Sequence, residues 1–181
     1  ATTIAGNRAA RGGAVFHDNG GEPATALHDT TLTSNNADER GGGVYNLAGD
    51  LRLSNATIAG NRAPIGEGGG LATSGDGDAR SIVDASLVAG NATSDVDIVG
   101  GTHEAVLSRG SNVVGAGNAT AAFVETGDQV IGNGDDASEL DRIRLGPATD
   151  ATDPTRRAAA PRKTGEAPIF EQIAERIAER R

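Results

Sequence analysis

Three kinds of residue in this chain have the chemistry to bind or react. The first are the histidines, His17, His28 and His103. None has a second histidine at metal-ligand spacing, so all three read as solvated loop residues. His17-Asp18 and His28-Asp29 would meet around a divalent metal only if the chain folded back between them. The second kind are acidic pairs, Asp76-Gly77-Asp78, Asp95-Val96-Asp97 and Asp135-Asp136. Such loops offer hard oxygen ligands, and calcium is the ion they would take. Neither the EF-hand pattern nor the calcium-binding nonapeptide repeat is present, so the pairs read as polar turns and no cofactor is expected. The third kind are the arginines Arg8, Arg11, Arg40, Arg62 and Arg80. Cleaving an acidic polysaccharide by elimination needs a bound cation and a basic residue that removes a proton. Arg8 and Arg62 recur at one repeat position, whereas one active site needs one base, so their recurrence argues for structure. Paired carboxylates of glycosidase type cannot be located by spacing. No catalytic, cofactor-binding or metal-binding residue is assigned.

The elements that carry these residues repeat. Thr3-Ile4-Ala5-Gly6-Asn7-Arg8-Ala9 recurs without change as Thr57-Ile58-Ala59-Gly60-Asn61-Arg62-Ala63. Looser copies are Thr31-Leu32-Thr33-Ser34-Asn35-Asn36-Ala37 and Leu87-Val88-Ala89-Gly90-Asn91-Ala92, with a fifth over Val113 to Asn118. Aligned on Asn7, Asn35, Asn61, Asn91 and Asn118, the spacings are 28, 26, 30 and 27 residues. A second signature falls between the copies: Gly12-Gly13-Ala14-Val15, Gly42-Gly43-Val44-Tyr45 and Gly69-Gly70-Leu71-Ala72.

Each repeat holds short β-prone runs separated by Gly, Asn and Asp. The ten-residue amphipathic stretches of helical repeats and the Leu ladder of leucine-rich repeats are both missing. The pattern predicts an all-β fold, a right-handed parallel β-helix of about five coils in which each strand pairs with its equivalent one coil on. Ile4, Leu32, Ile58 and Val88 are then one inward aliphatic ladder, and Val15, Val44 and Leu71 another. The five asparagines occupy a tight bend, where Asn tolerates left-handed backbone angles and stacked amides bond from coil to coil. A solenoid this short needs its ends covered, since an open end exposes apolar core and unpaired strands.

Composition agrees with this reading. The 181 residues contain 27 Gly but only 3 Phe, 1 Tyr and no Trp, as a narrow aliphatic interior demands. Absence of Cys excludes a disulfide scaffold and any thiolate metal site. No apolar run is long enough to cross a membrane as a helix. The net charge of −9 argues against nucleic acid as a partner.

The repeats resemble those of bacterial right-handed parallel β-helix surface proteins, including the polymorphic outer-membrane-protein type with its GGA(V/I) motif. One stretch is more specific: Ala89-Gly90-Asn91-Ala92-Thr93, Asp97-Ile98, Ser108-Arg109-Gly110-Ser111-Asn112-Val113-Val114-Gly115, then Thr126-Gly127-Asp128-Gln129-Val130. In this order it is similar to the choice-of-anchor Q family, with its AGN-x-A, D-I, S-x-G-x-N-L-I-G and GDQVG. The resemblance covers residues 1–134. It implies a β-helix that is secreted or displayed on a bacterial cell surface, with no defined catalytic residues. The expected role is non-catalytic: a stalk, an adhesin or a carbohydrate-binding surface, with a polysaccharide or a host or cell-surface ligand as partner. The alternative is a fragment of a pectate-lyase-like polysaccharide lyase or hydrolase, which shares the fold.

After residue 135 the family pattern stops, and only Leu145-Gly146-Pro147 is similar to its next segment. Twenty-five of the 27 glycines lie before that point, and the net charge divides as −10 over residues 1–138 and +1 over 139–181. The chain therefore divides into a β-helix over 1–134, an irregular linker over 135–168, and a short α-helix over 169–181. In that helix Ile169, Ile173 and Ile177 form one apolar stripe, expected to lie on the rod or over its open end. Ala1 falls inside a repeat unit, which predicts a processed chain or a piece of a longer β-helix.

Overall fold

The computed structural model describes residues 1–20, 24–64, 67–101 and 105–132. The linker and C-terminal helix expected over 135–181, with Asp135-Asp136, and also His103, lie outside the described residues.

Four successive turns of chain stack on one another. The first contains β1 (Thr2–Ala5), β2 (Arg8–Arg11), β3 (Val15–Asp18) and β4 (Thr25–His28). The second contains β5 (Thr30–Thr33), β6 (Asn36–Arg40), β7 (Val44–Ala48) and β8 (Asp50–Ser54). The third has β9 (Thr57–Ala59), β10 (Leu71–Ser74) and β11 (Arg80–Asp84), and the fourth β12 (Leu87–Val88), β13 (Val96–Val99) and β14 (Val106–Ser108). A last, incomplete turn runs from β15 (Val113–Val114) through a single 3₁₀ turn (Thr120–Ala122) to β16 (Gln129–Val130).

Every strand pairs in parallel with its equivalent one turn away, giving sheets β1-β5-β9-β12-β15-β16, β3-β7-β10-β13 and β4-β8-β11-β14. A short β2-β6 pair continues as single bridges through Arg62 and Ala92. The protein is thus an all-β parallel solenoid. The described residues make four full turns, where the Asn count predicts about five. The difference arises in the last copy, where the chain returns to the first sheet from Val113 to Gln129, too soon to build three faces.

The interior is one aliphatic column. Register places Ile4, Leu32, Ile58, Val88 and Val114 in line on the first sheet. Val15, Val44, Leu71 and Val96 line up on the second. A third row, Leu27, Leu53 and Val83, closes the triangle. These residues form a single core cluster. The Gly pairs lie where adjacent turns come closest. A Cβ on Gly42 would sit 2.4 Å from the Gly69 carbonyl oxygen, and one on Gly69 would sit 2.0 Å from that of Ala92. Any side chain there would force the turns apart.

The two ends differ. At the far end Ala119 and Phe123 are buried in the core cluster and cover it. At the near end β1 to β4 each have one neighbour among the described residues, and Ile4, Val15 and Leu27 are only partly buried.

Candidate functional site

The bend after the first sheet holds a continuous column of amides. The backbone N–H and side-chain Nδ2 of Asn7 both donate to Asn35 Oδ1, each at 3.0 Å. Asn35 donates in the same way to Asn61, and Asn61 to Asn91, again at 3.0 Å throughout. Each rung also reaches back one turn, from Asn35 Nδ2 to the Ile4 carbonyl, from Asn61 to Leu32 and from Asn91 to Ile58. The column therefore has a direction, donating from the first turn toward the fourth. The left-handed residue at this bend is not the Asn but the one before it: Gly6 (φ 70°), Ser34 (57°), Gly60 (68°) and Gly90 (73°). That leaves the Asn in ordinary backbone geometry with its amide aimed along the rod.

Asn118 is not the fifth rung. One extra residue after β15 carries it to β13, where it accepts from the Ile98 N–H at 2.7 Å and donates to the Ile98 carbonyl at 2.9 Å. The column ends instead on Asp95. Its Oδ1 accepts from the Asn91 N–H (2.8 Å) and Nδ2 (2.9 Å), and its Oδ2 from the Ala116 N–H (2.9 Å). A second column ends in the same manner. The Ala56 N–H donates to Ser86 Oγ, Ser86 to Asn112 Oδ1, and Asn112, through N–H and Nδ2, to Asp128 Oδ1. A carboxylate only accepts, so it suits the last place in a chain of donors. Gly115 leaves room for one of these terminators: a Cβ there would lie 1.8 Å from Asp95 Oδ2.

Asp95 and Asp97 are thus interior groups and not a polar surface turn, being 3% exposed each. Asp97 Oδ1 accepts from the Asn118 N–H, and its Oδ2 from the Gly68 N–H and the Ser94 hydroxyl. Each carboxylate therefore has three protein donors, which takes most of its capacity for a cation. Burial pushes the Asp95 carboxyl up to about 6, against the pull of the Asn91 and Ala116 donors and with a further upward push from Asp97. A carboxyl titrating there has the pKa of a general acid, but a substrate cannot reach it.

Its titration does affect stability. The folded Asp95 holds its proton up to about pH 6, while the unfolded group releases it near 3.8. Stability attributable to Asp95 therefore rises as pH falls from 6 to 4, by roughly 2–3 kcal/mol. Asp128 behaves oppositely. Desolvation raises its pKa, but bonds from Ser108, Asn112 and Glu125 together lower it further, so its contribution is lost in acid. Urea midpoints at pH 4.5 and 7 check the first, with Asp95→Asn removing the acid-side gain; the Asp128 contribution is intact at pH 4.5 and is lost only below about pH 4, where Asp128→Asn flattens the fall.

The other chemically active residues are dispersed. His17 is not solvated. It is 5% exposed on β3, with Nδ1 bonded to Asn46 Oδ1 at 2.9 Å. Asn46 Nδ2 continues to Ser81 Oγ at 3.2 Å, and Ser81 to Thr73 at 2.7 Å, making a polar thread inside the corner between the second and third faces. His28 lies on exposed β4, against Ser54 and Asp29. Arg8 and Arg62 fall in one row two turns apart, separated by Asn36. Arg8 pairs with Asp38, Arg11 with Glu39, Arg40 with Glu67 and Arg80 with Asp50. Asp78 accepts from the Gly49 N–H, and the Asp76 N–H meets Ser74 Oγ. Among the described residues no three His, Asp or Glu side chains gather as a metal site. Phe16 is half-exposed and lies against Tyr45, which is buried in a small cluster with Ala72 and Val99, the ring centroids 5.8 Å apart.

The fold and these columns define the chain as a parallel β-solenoid repeat protein. Comparison with protein-family models, with curated proteins and with solved structures finds no match for it.

Proposed function

We propose that the chain is a non-catalytic segment of a secreted or cell-surface bacterial β-helix protein of the choice-of-anchor Q type. It acts as a stalk or as a surface that presents a carbohydrate- or cell-binding face. The observation that supports this reading is how the repeated polar residues are used. Asn35, Asn61 and Asn91 spend their amides on neighbouring turns, Asp95 and Asp97 spend their carboxylates mostly on backbone N–H groups, and Arg8, Arg11 and Arg40 pair with acids one turn on. A rod held together this way gains length and rigidity from its repeats, as a spacer requires.

Incubation with polygalacturonate and alginate tests the proposal. No unsaturated product is expected with or without calcium. Turnover that a single Arg→Ala change abolishes would replace it with the lyase reading.

A further inference from the structure

We propose that Ser54 is an acyl-accepting serine. His28 takes its proton, Asp29 positions His28, and the donor is an activated ester or thioester with a small neutral acyl group. The three residues come from two turns and meet at the edge of the third face. Pairing of β4 with β8 sets His28 directly beside Ser54. His28 Nδ1 lies 2.8 Å from Ser54 Oγ, and His28 Nε2 lies 3.3 Å from Asp29 Oδ2. A carboxylate only accepts, so the tautomer that satisfies both contacts carries its proton on Nε2. The Nδ1 lone pair then accepts from the Ser54 hydroxyl, the order that makes a serine nucleophilic.

The constellation is held from several sides. The Asp29 N–H donates to the Ser54 carbonyl at 3.2 Å, Asn55 Nδ2 donates to Asp29 Oδ1, and the Thr30 hydroxyl donates to the His28 carbonyl at 3.0 Å. Groups fixed this way lose little freedom when they react. The site is open, with the His28 side chain 66% exposed. It also does not recur. The bend asparagines repeat because they hold the turns together, but the row through His28 and Ser54 continues with Asp84, so neither residue is repeated. One reaction needs one nucleophile and one base. Arg52 lies two residues before Ser54 on the same outward side of β8, where its guanidinium suits an oxygen that turns negative. It meets Asp50 only at 3.9 Å, while Arg80 holds that carboxylate at 3.2 Å. Asp84, next in the row, disfavours an acyl group that is itself anionic.

In the reaction the Ser54 oxygen bonds to the acyl carbon as its proton passes to His28 Nδ1. The bond to the leaving oxygen or sulfur breaks with its electron pair, and His28 gives the proton to that group or to solvent. The product is an ester on Ser54. This goes beyond the spacer reading and does not depend on it, since one acylated serine per chain is compatible with a rod that turns over no polysaccharide.

p-Nitrophenyl acetate tests the proposal on the full chain. The expected result is an acetyl group on Ser54, located by peptide mapping after an acid quench and absent from Ser54→Ala. His28→Ala should slow acetylation of Ser54 about a hundredfold at an unchanged melting midpoint, and added imidazole should restore part of the rate. Asp29→Asn should slow it about tenfold and Asp29→Glu should recover most of that loss, which a merely structural residue would not do. No acetyl on Ser54 overturns the proposal. So does acetylation of other exposed serines at the same rate, or a His28→Ala chain as reactive as the native one.

Discussion

Ile58→Asp abolishes the folded body. Ile58 is fully buried at the middle of the first apolar row, paired with Leu32 below and Val88 above. Deleting a buried side chain of this size alone costs about 2–5 kcal/mol. A carboxylate in its place would also be desolvated among aliphatic groups with no donor aimed at it, which adds several kcal/mol more. The total is comparable with the whole stability of a domain this size. Circular dichroism should show no cooperative melt for Ile58→Asp. Ile58→Val, which keeps the row, should lose only about 1 kcal/mol. A normal melt for the Asp variant would mean that the side chain does not point inward.

The second large effect is expected at Asn61. Its amide is fully buried and makes more inter-turn bonds than any apolar neighbour can replace. In Asn61→Leu the Asn35 N–H loses its acceptor and the Leu32 carbonyl loses the Asn61 amide, while Asn35 Nδ2 keeps only the Ile4 carbonyl and Asn91 Oδ1 keeps only the backbone N–H of residue 61. Each orphaned buried group costs about 1–3 kcal/mol, so a loss of about 4 kcal/mol or more is expected from denaturant titration. Asn7→Leu is the internal control. At the exposed first rung it removes one of the two donors to Asn35 Oδ1 and the bond to the solvated Ala5 carbonyl, and should cost about 1 kcal/mol. Equal losses at the two positions would show that the column acts through local backbone geometry and not through its stacking.

The solenoid was legible because its spacing is written twice, once in the Asn bend and once in the Gly pair. Both are positions where few other residues fit. Gly42 and Gly69 are fixed by backbone approach, and the bend Asn by needing a donor and an acceptor on one short side chain. The third face was not legible. Leu27, Leu53 and Val83 keep the same interval, but nothing around them is invariant: His28, Ser54 and Asp84 follow them in turn. Hydrophobicity alone does not mark a register.

The ladder ends were hidden for another reason. Asp95 completes the Asn column from only four residues along the chain, where a repeat reading looks a full turn away and finds Asn118. The extra residue before Asn118 removes it from the column, and local chain geometry decides the substitution. His17 likewise looked like surface beside Asp18, because its partner Asn46 lies a turn distant. In a strand the side chains alternate, so His17 and Asp18 face opposite ways.

The stacked turns also set how the rod takes load. Among the described residues each turn is tied to the next by parallel ladders and by the same amide bonds, so tension along the axis loads like bonds in series. A turn that lets go releases about 90 Å of chain, and the turn beside it keeps the register on which the released chain re-forms.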